Sequence, residues 1–183
     1  MAYRNGTYVA FHAEGTDVPT DSDIKYYNLL KAWTAKKDDD FSMINSHEKT
    51  AAVRDSSKRE TLRTRLKTRL GDSKHLLLII GKTTKNDTDW VPFEIRYAID
   101  ECEIPVIAAY TDYDYVLRPL TLSNLWPSAL KTRINNDTAR VIHIPFKKQP
   151  IKAVIEEVSP TNMPEGPLVY YTRDTYKKWG LIK

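Results

Sequence analysis

The sequence predicts an α/β domain of the flavodoxin-like kind, three layers deep, with a parallel sheet of about five strands and helices on both faces. Three observations carry this expectation. Strand-like and helix-like segments alternate along most of the chain, the pattern that builds a parallel sheet through right-handed crossovers. The segment His75-Leu76-Leu77-Leu78-Ile79-Ile80 is apolar with no polar alternate, as a strand covered on both faces must be. The length of 183 residues and mass of 21.1 kDa suit one domain, read as residues 1–158, with a C-terminal extension, 159–183, that packs on it.

Each element has its own signal. Tyr8 to Phe11 is a short apolar first strand, followed by a polar loop broken by Gly15 and Pro19. Ser22 can cap a helix in which Ile24, Tyr27, Leu30 and Trp33 recur near helical spacing, and the polar run Lys36 to Asp40 ends it. Phe41 to Ile44 reads as a second strand. Ser57 and Glu60 have the spacing of a capping box, Leu62, Leu66 and Leu70 form a one-sided stripe after it, and Gly71 stands where a helix should stop. The apolar run at 75–80 is the third strand. Asn86, Asp87 and Asp89 offer caps for the next helix, where Pro92 is tolerated in the first turn and Val91, Ile95, Ala98 or Ile99, and Cys102 make the buried face. Ile104 to Ala109 is the fourth strand, and a long Tyr/Asp/Pro-containing connection leads to a fifth at Val141 to Ile144. A last helix starts at Pro150 and is stopped by Pro160. Tyr170, Tyr171, Tyr176 and Trp179 give the tail apolar surface to bury against the body.

Composition excludes several function classes. Hydrophobic residues are 41% and charged residues 28%, enough to bury a core. Lys plus Arg is 28 against 24 for Asp plus Glu, a net charge of +4 that is too small by itself to mark a nucleic-acid-binding domain. The single cysteine, Cys102, forms no internal disulfide, the four histidines lack zinc-ligand spacing, and a reducing cytoplasmic compartment is expected. The first residues lack a signal-peptide core and Leu76 to Ile80 is too short to cross a bilayer, so no membrane association is expected. Six scattered glycines exclude both the dinucleotide fingerprint and the P-loop. Gly81-Lys82-Thr83 imitates the end of a P-loop, but the partner glycine would have to stand where Leu76 is.

In such sheets ligands gather beyond the carboxyl ends of the strands, after Phe11, Ile44, Ile80 and Ala109. The helix that follows the strongest strand opens with Trp90-Val91-Pro92-Phe93-Glu94. On helical spacing Trp90, Glu94, Tyr97 and Glu101 share a face separate from the Val91/Ile95/Cys102 stripe, so a carboxylate and two aromatic rings meet at the crevice. The competing reading is a surface Glu favoured by the helix dipole. His12 can hydrogen-bond a ribose or phosphate, or simply cap a loop. The basic helix, with Lys58, Arg59, Arg63, Arg65, Lys67 and Arg69, could grip a phosphate backbone, but its charges point in several directions and no stacking pattern accompanies them, which makes nucleic acid an unlikely partner.

Tyr8-Val9-Ala10-Phe11-His12, the apolar strand Leu76 to Ile80, and Trp90-Val91-Pro92-Phe93-Glu94 together resemble a TIR domain, and within that fold the TIR-like proteins of bacterial Thoeris anti-phage systems. The resemblance spans roughly Tyr3 to Val158, and Trp-x-x-x-Glu is its most specific element. The sequence also departs from the wider family: Asn45 to Ser56 has no glycine, and the first strand lacks the usual serine before its terminal aromatic, which points to the divergent Thoeris-like group. By this similarity Glu94 matches the catalytic glutamate of NAD-cleaving TIR enzymes, and Phe11, His12, Ala13, Asn45, Lys82 and Trp90 match or border the nucleotide pocket. The resemblance implies an NAD+ glycohydrolase or cyclase with NAD+ as substrate and no cofactor or metal. It further implies self-association into an oligomer or filament, and an ADP-ribose-derived product, cyclic or conjugated, that activates an effector protein. A TIR-like scaffold without turnover is the alternative.

Overall fold

The computed structural model describes residues 4–13, 22–34, 43–44 and 56–183, with only the backbone described at 43–44 and 56–58. Six strands, β1 (Thr7–Ala10), β2 (Met43–Ile44), β3 (His75–Ile80), β4 (Val106–Tyr110), β5 (Val141–Pro145) and β6 (Val169–Tyr170), form one sheet in the order β2-β1-β3-β4-β5-β6. Every neighbouring pair is parallel. The first five strands are those the sequence predicts, within two residues at most described ends. The sixth is supplied by the tail, where Val169 and Tyr170 pair with Ile142 and His143 on the edge of β5.

Because successive strand residues point to opposite faces, the all-apolar β3 serves two cores at once. Leu76, Leu78 and Ile80 face α2 (Ser56–Gly71), α3 (Trp90–Arg96) and α4 (Ser128–Asn135), joining Tyr8, Leu66, Val91, Ile95 and Leu130. Leu77 and Ile79 face α1 (Ile24–Thr34) and α5 (Lys148–Glu157), joining Val9, Phe11, Tyr27, Leu30, Ile151 and Val154. All six β3 residues are buried, which is why no polar alternate appears in that segment.

Local details depart from the sequence expectations in instructive ways. Of the three cap candidates the sequence offers, Asp87 supplies the side chain at the start of α3: its Oδ1 accepts from the backbone N–H groups of Asp89 and Trp90, each at 2.9 Å. After Arg96 the helix widens into a π turn, Tyr97–Glu101. The long connection after β4 contains a 3₁₀ turn, Pro119–Leu122, and the unpredicted α4, which has only eight residues and no side-chain cap. Capping by Ser57 falls among the side chains outside the described residues. In the tail, α6 (Arg173–Lys178) is capped by the Thr172 hydroxyl, which accepts from Thr175 N–H, and its Tyr176 is wholly buried.

Two buried histidines tie distant segments together. His75 contacts the Thr7 hydroxyl at 2.7 Å and the Val158 carbonyl at 3.0 Å. His143 contacts the Tyr110 hydroxyl at 2.7 Å and the Pro167 carbonyl at 2.9 Å, while the Trp126 indole N–H donates to Tyr110. Among the described residues no helix is long and apolar enough to cross a membrane.

Candidate functional site

Strand order sets where a ligand crevice can form. The chain leaves β1 toward β2 on one side and then crosses to β3 on the other, so the switch point lies beyond the carboxyl ends of β1 and β3. Phe11-His12-Ala13 leave β1 there, and Gly81-Lys82 leave β3.

Glu94 sits on the α2/α3/α4 side of the sheet and has no exposed surface. The expectation of a separate, partly shielded face for it is corrected: Trp90, Val91, Glu94, Ile95 and Ala98 are all buried, so the inward arc of the helix is wide enough to take Glu94 with the apolar stripe. Its Oε1 accepts a 2.5 Å hydrogen bond from the Tyr8 hydroxyl on β1. Burial, then the charge and hydrogen bond of Glu94, push the Tyr8 hydroxyl well above its ordinary pKa, while Arg69 pulls it the other way. Tyr8 therefore keeps its proton at any physiological pH, and its O–H donates to the carboxylate.

Trp90 is nearly buried at the start of α3, with Phe93 edge-on at 6.5 Å and Tyr97 stacked on Phe93 at 6.1 Å. The basic helix α2 lies along this aromatic row. Arg59 stands over Trp90 at 5.6 Å, Arg63 over Phe93 at 5.4 Å, and Lys67 over Tyr97 at 5.7 Å. Asp89, freed from capping, accepts from Arg59 at 2.5 Å and lies 3.6 Å from Arg63. Three basic side chains of α2 are thus engaged within the fold by cation–π contacts and a shared carboxylate.

The other predicted residues divide between the two faces. Phe11 is buried on the α1/α5 side, stacked on Tyr27 at 4.8 Å, across the sheet from Glu94. Ala13 packs against that same cluster, and His12 is half-buried, its carbonyl accepting from Asp23 N–H. Lys82 is exposed at the end of β3, 3.7 Å from Asp112. Asn45 lies outside the described residues.

A second polar node at the switch point has no counterpart in the sequence reading. Buried Asp23, just before α1, accepts from the Thr84 hydroxyl at 2.7 Å, and that hydroxyl accepts from Gly81 N–H at 2.7 Å. A Cβ on Gly81 would come within 2.1 Å of Asp23 Oδ1, so the glycine serves close approach of α1 to β3 rather than a phosphate cradle. The node pins the β1–α1 and β3–α3 segments together beside the crevice. Among the described residues no group of three or more His, Cys, Asp or Glu side chains could hold a metal ion.

A buried carboxylate fixed by a tyrosine hydroxyl can stabilise positive charge that develops on a group brought against it. A family model described as the TIR-like domain of Thoeris protein ThsB matches residues 8–115, which takes in β1 from Tyr8 onward, β2, β3, α3, β4 and every predicted site residue.

Proposed function

The chain belongs to the Thoeris ThsB TIR-like family, and on that premise we propose that it cleaves the bond between nicotinamide and ribose in NAD+ to make an ADP-ribose-derived signal in anti-phage defence. The observation that supports this reading best is the buried Glu94 carboxylate held by the Tyr8 hydroxyl, at the position that matches the family's catalytic glutamate.

The chemistry needs little else. Nicotinamide in NAD+ is cationic and departs as a neutral base carrying the bonding electron pair, so no strong general acid is required. The barrier is the oxocarbenium-like charge left on the ribose, as in glycoside cleavage. Glu94 accepts from the ribose hydroxyls and stabilises that charge, Tyr8 holds the carboxylate in place, and Trp90 shapes the wall. His12 and Lys82 contact hydroxyl or phosphate groups at the crevice rim. The ribosyl cation is then captured by water, which loses a proton to give ADP-ribose, or by a nitrogen of the same molecule's adenine to give a cyclic product. The product acts on an effector protein, and self-association of the domain completes the site. Since Glu94 has no exposed surface, NAD+ reaches it only after groups over the crevice shift.

That same complete burial favours a second reading, in which Glu94 and Tyr8 form a structural pair inside a scaffold without turnover. Nicotinamide release from NAD+, measured at high protein concentration for wild type and Glu94→Gln, separates the two. Loss of release in the variant, with its fold intact, supports catalysis; equal release in both refutes the role assigned to Glu94.

A further inference from the structure

Beyond the end of β4 the chain forms a cleft of about 550 Å³, lined largely by residues 112–122 together with Arg173 from α6. Its position matters, because β4 lies on the far side of β3 from β1. Its walls come from two segments that are distant in sequence, and they meet because the tail is anchored. Tyr176, wholly buried, lies 6.4 Å from Tyr115 of the cleft and packs with Tyr171 and Trp179 at ring-centroid separations of 6.4 and 5.8 Å.

The charges of this cleft are unequally satisfied. Asp112 pairs with Lys82 at 3.7 Å, and Asp114 pairs with Lys147 at 2.6 Å. Arg118 and Arg173 are exposed, and among the described residues neither guanidinium enters an ion pair or hydrogen bond. The two aspartates are thus offset by lysines, and two guanidinium forks are left to face one cavity. Such forks match phosphate oxygens in geometry as well as charge. Beside them Tyr113 is half-buried and Tyr115 is 43% exposed, which supplies ring surface against which a planar base can stack. The volume lies within the range of small-molecule sites, roughly 300–1,000 Å³.

We propose that this cleft, built jointly by the connection after β4 and the C-terminal tail, is a second binding site that takes a phosphorylated nucleotide, with Arg118 and Arg173 on its phosphates and Tyr115 against its base. The site does not depend on NAD+ cleavage, so either can fail alone.

ADP is the probe, titrated calorimetrically into the full chain at low salt, with adenosine as the control without phosphate. Wild type should bind ADP, and Arg118→Gln and Arg173→Gln should each weaken binding by about tenfold or more, the loss expected when a charge-assisted contact is removed. Adenosine should bind at least about tenfold more weakly than ADP for the same reason. Both arginines are exposed, and a urea midpoint equal to wild type checks each variant's fold. Arg173→Lys, which retains the charge without the fork, should fall between wild type and Arg173→Gln. Glu94→Gln should leave this ADP affinity unchanged, whatever it does to nicotinamide release. No ADP binding, equal ADP affinity in wild type and the Arg118→Gln/Arg173→Gln double variant, or equal affinity for ADP and adenosine would each overturn the proposal.

Discussion

Replacing His143 with glutamine should flatten the dependence of stability on pH, by an amount the structure sets. The imidazole is fully buried, and loss of solvation pulls its pKa from 6.5 down to about 4, with the hydrogen bond to the Pro167 carbonyl opposing. Its contacts define the neutral tautomer: Nε2–H donates to Pro167, and Nδ1 accepts from the Tyr110 hydroxyl, which in turn accepts from Trp126. A second proton on the ring would confront the Tyr110 O–H, whose oxygen is already engaged by the indole. The unfolded chain binds this proton near pH 6.5 and the folded one only near 4, so stability is fully present above 6.5 and is lost as pH falls toward 4. At roughly 1.4 kcal/mol per pH unit the full fall costs about 3 kcal/mol, and about 2 kcal/mol of it is gone by pH 5. Glutamine can donate to Pro167 and accept from Tyr110 without titrating. Urea unfolding at pH 7 and pH 5 should therefore show the variant losing about 2 kcal/mol less than wild type across that interval. Equal losses in the two proteins would refute the assignment of a buried neutral ring. His75, held by Thr7 and Val158 and likewise lowered to about 4 by burial, adds a second contribution of the same sign and window.

Two further perturbations test the crevice. Tyr8→Phe removes a buried hydrogen bond to a carboxylate and should destabilise the fold by about 1.5–3 kcal/mol, measured by urea unfolding; a change under 0.5 kcal/mol, the range of ordinary surface substitutions, would mean the contact is not formed in solution. Gly81→Ala forces Asp23 away from a Cβ that would stand 2.1 Å from its Oδ1, and should cost about 1–3 kcal/mol as overpacking does; an unchanged thermal midpoint would show that the Asp23–Thr84 node yields freely.

Much of the fold was readable because a parallel sheet writes itself as apolar runs. β3 announces itself by having no polar residue after His75, and the leucine stripe of α2 by its spacing. The parts that escaped are short or depend on register. The two-residue β6 has no pattern of its own and exists because the edge of β5 offers unpaired backbone groups. Helix α4 is eight residues long, too short for periodicity to stand out. Glu94 and Trp90 were visible as a motif, yet the partner of Glu94 was not: Tyr8 lies 86 positions away and meets it only once β1 and α3 are placed on the same face of the sheet. Asp23 and Thr84, 61 positions apart, were hidden for the same reason. The resemblance groups Phe11 with Glu94 at one pocket, but strand alternation sends its ring to the opposite face, where Tyr27 receives it.

The burial of Glu94 also decides which substitution is informative about the proposed chemistry. Glu94→Ala would leave a cavity at a site with no exposed surface and strip the Tyr8 hydroxyl of its acceptor, a combination costing several kcal/mol whether or not the carboxylate ever meets a ribose. Loss of nicotinamide release in that variant would fit a purely structural Glu94 as well as a catalytic one. Glutamine has nearly the same volume and retains a carbonyl oxygen for Tyr8, so what it removes is the negative charge. Unfolding should change by no more than the charge-assisted share of one hydrogen bond, about 1 kcal/mol. Stabilisation of a ribosyl cation rests on that charge, and its removal should reduce release by about a hundredfold or more, the scale seen when one preorganised electrostatic contact is deleted. A Glu94→Gln protein that unfolds almost like wild type but no longer releases nicotinamide therefore places the defect in the chemistry, and one that unfolds normally and still releases it leaves Glu94 as half of a structural pair.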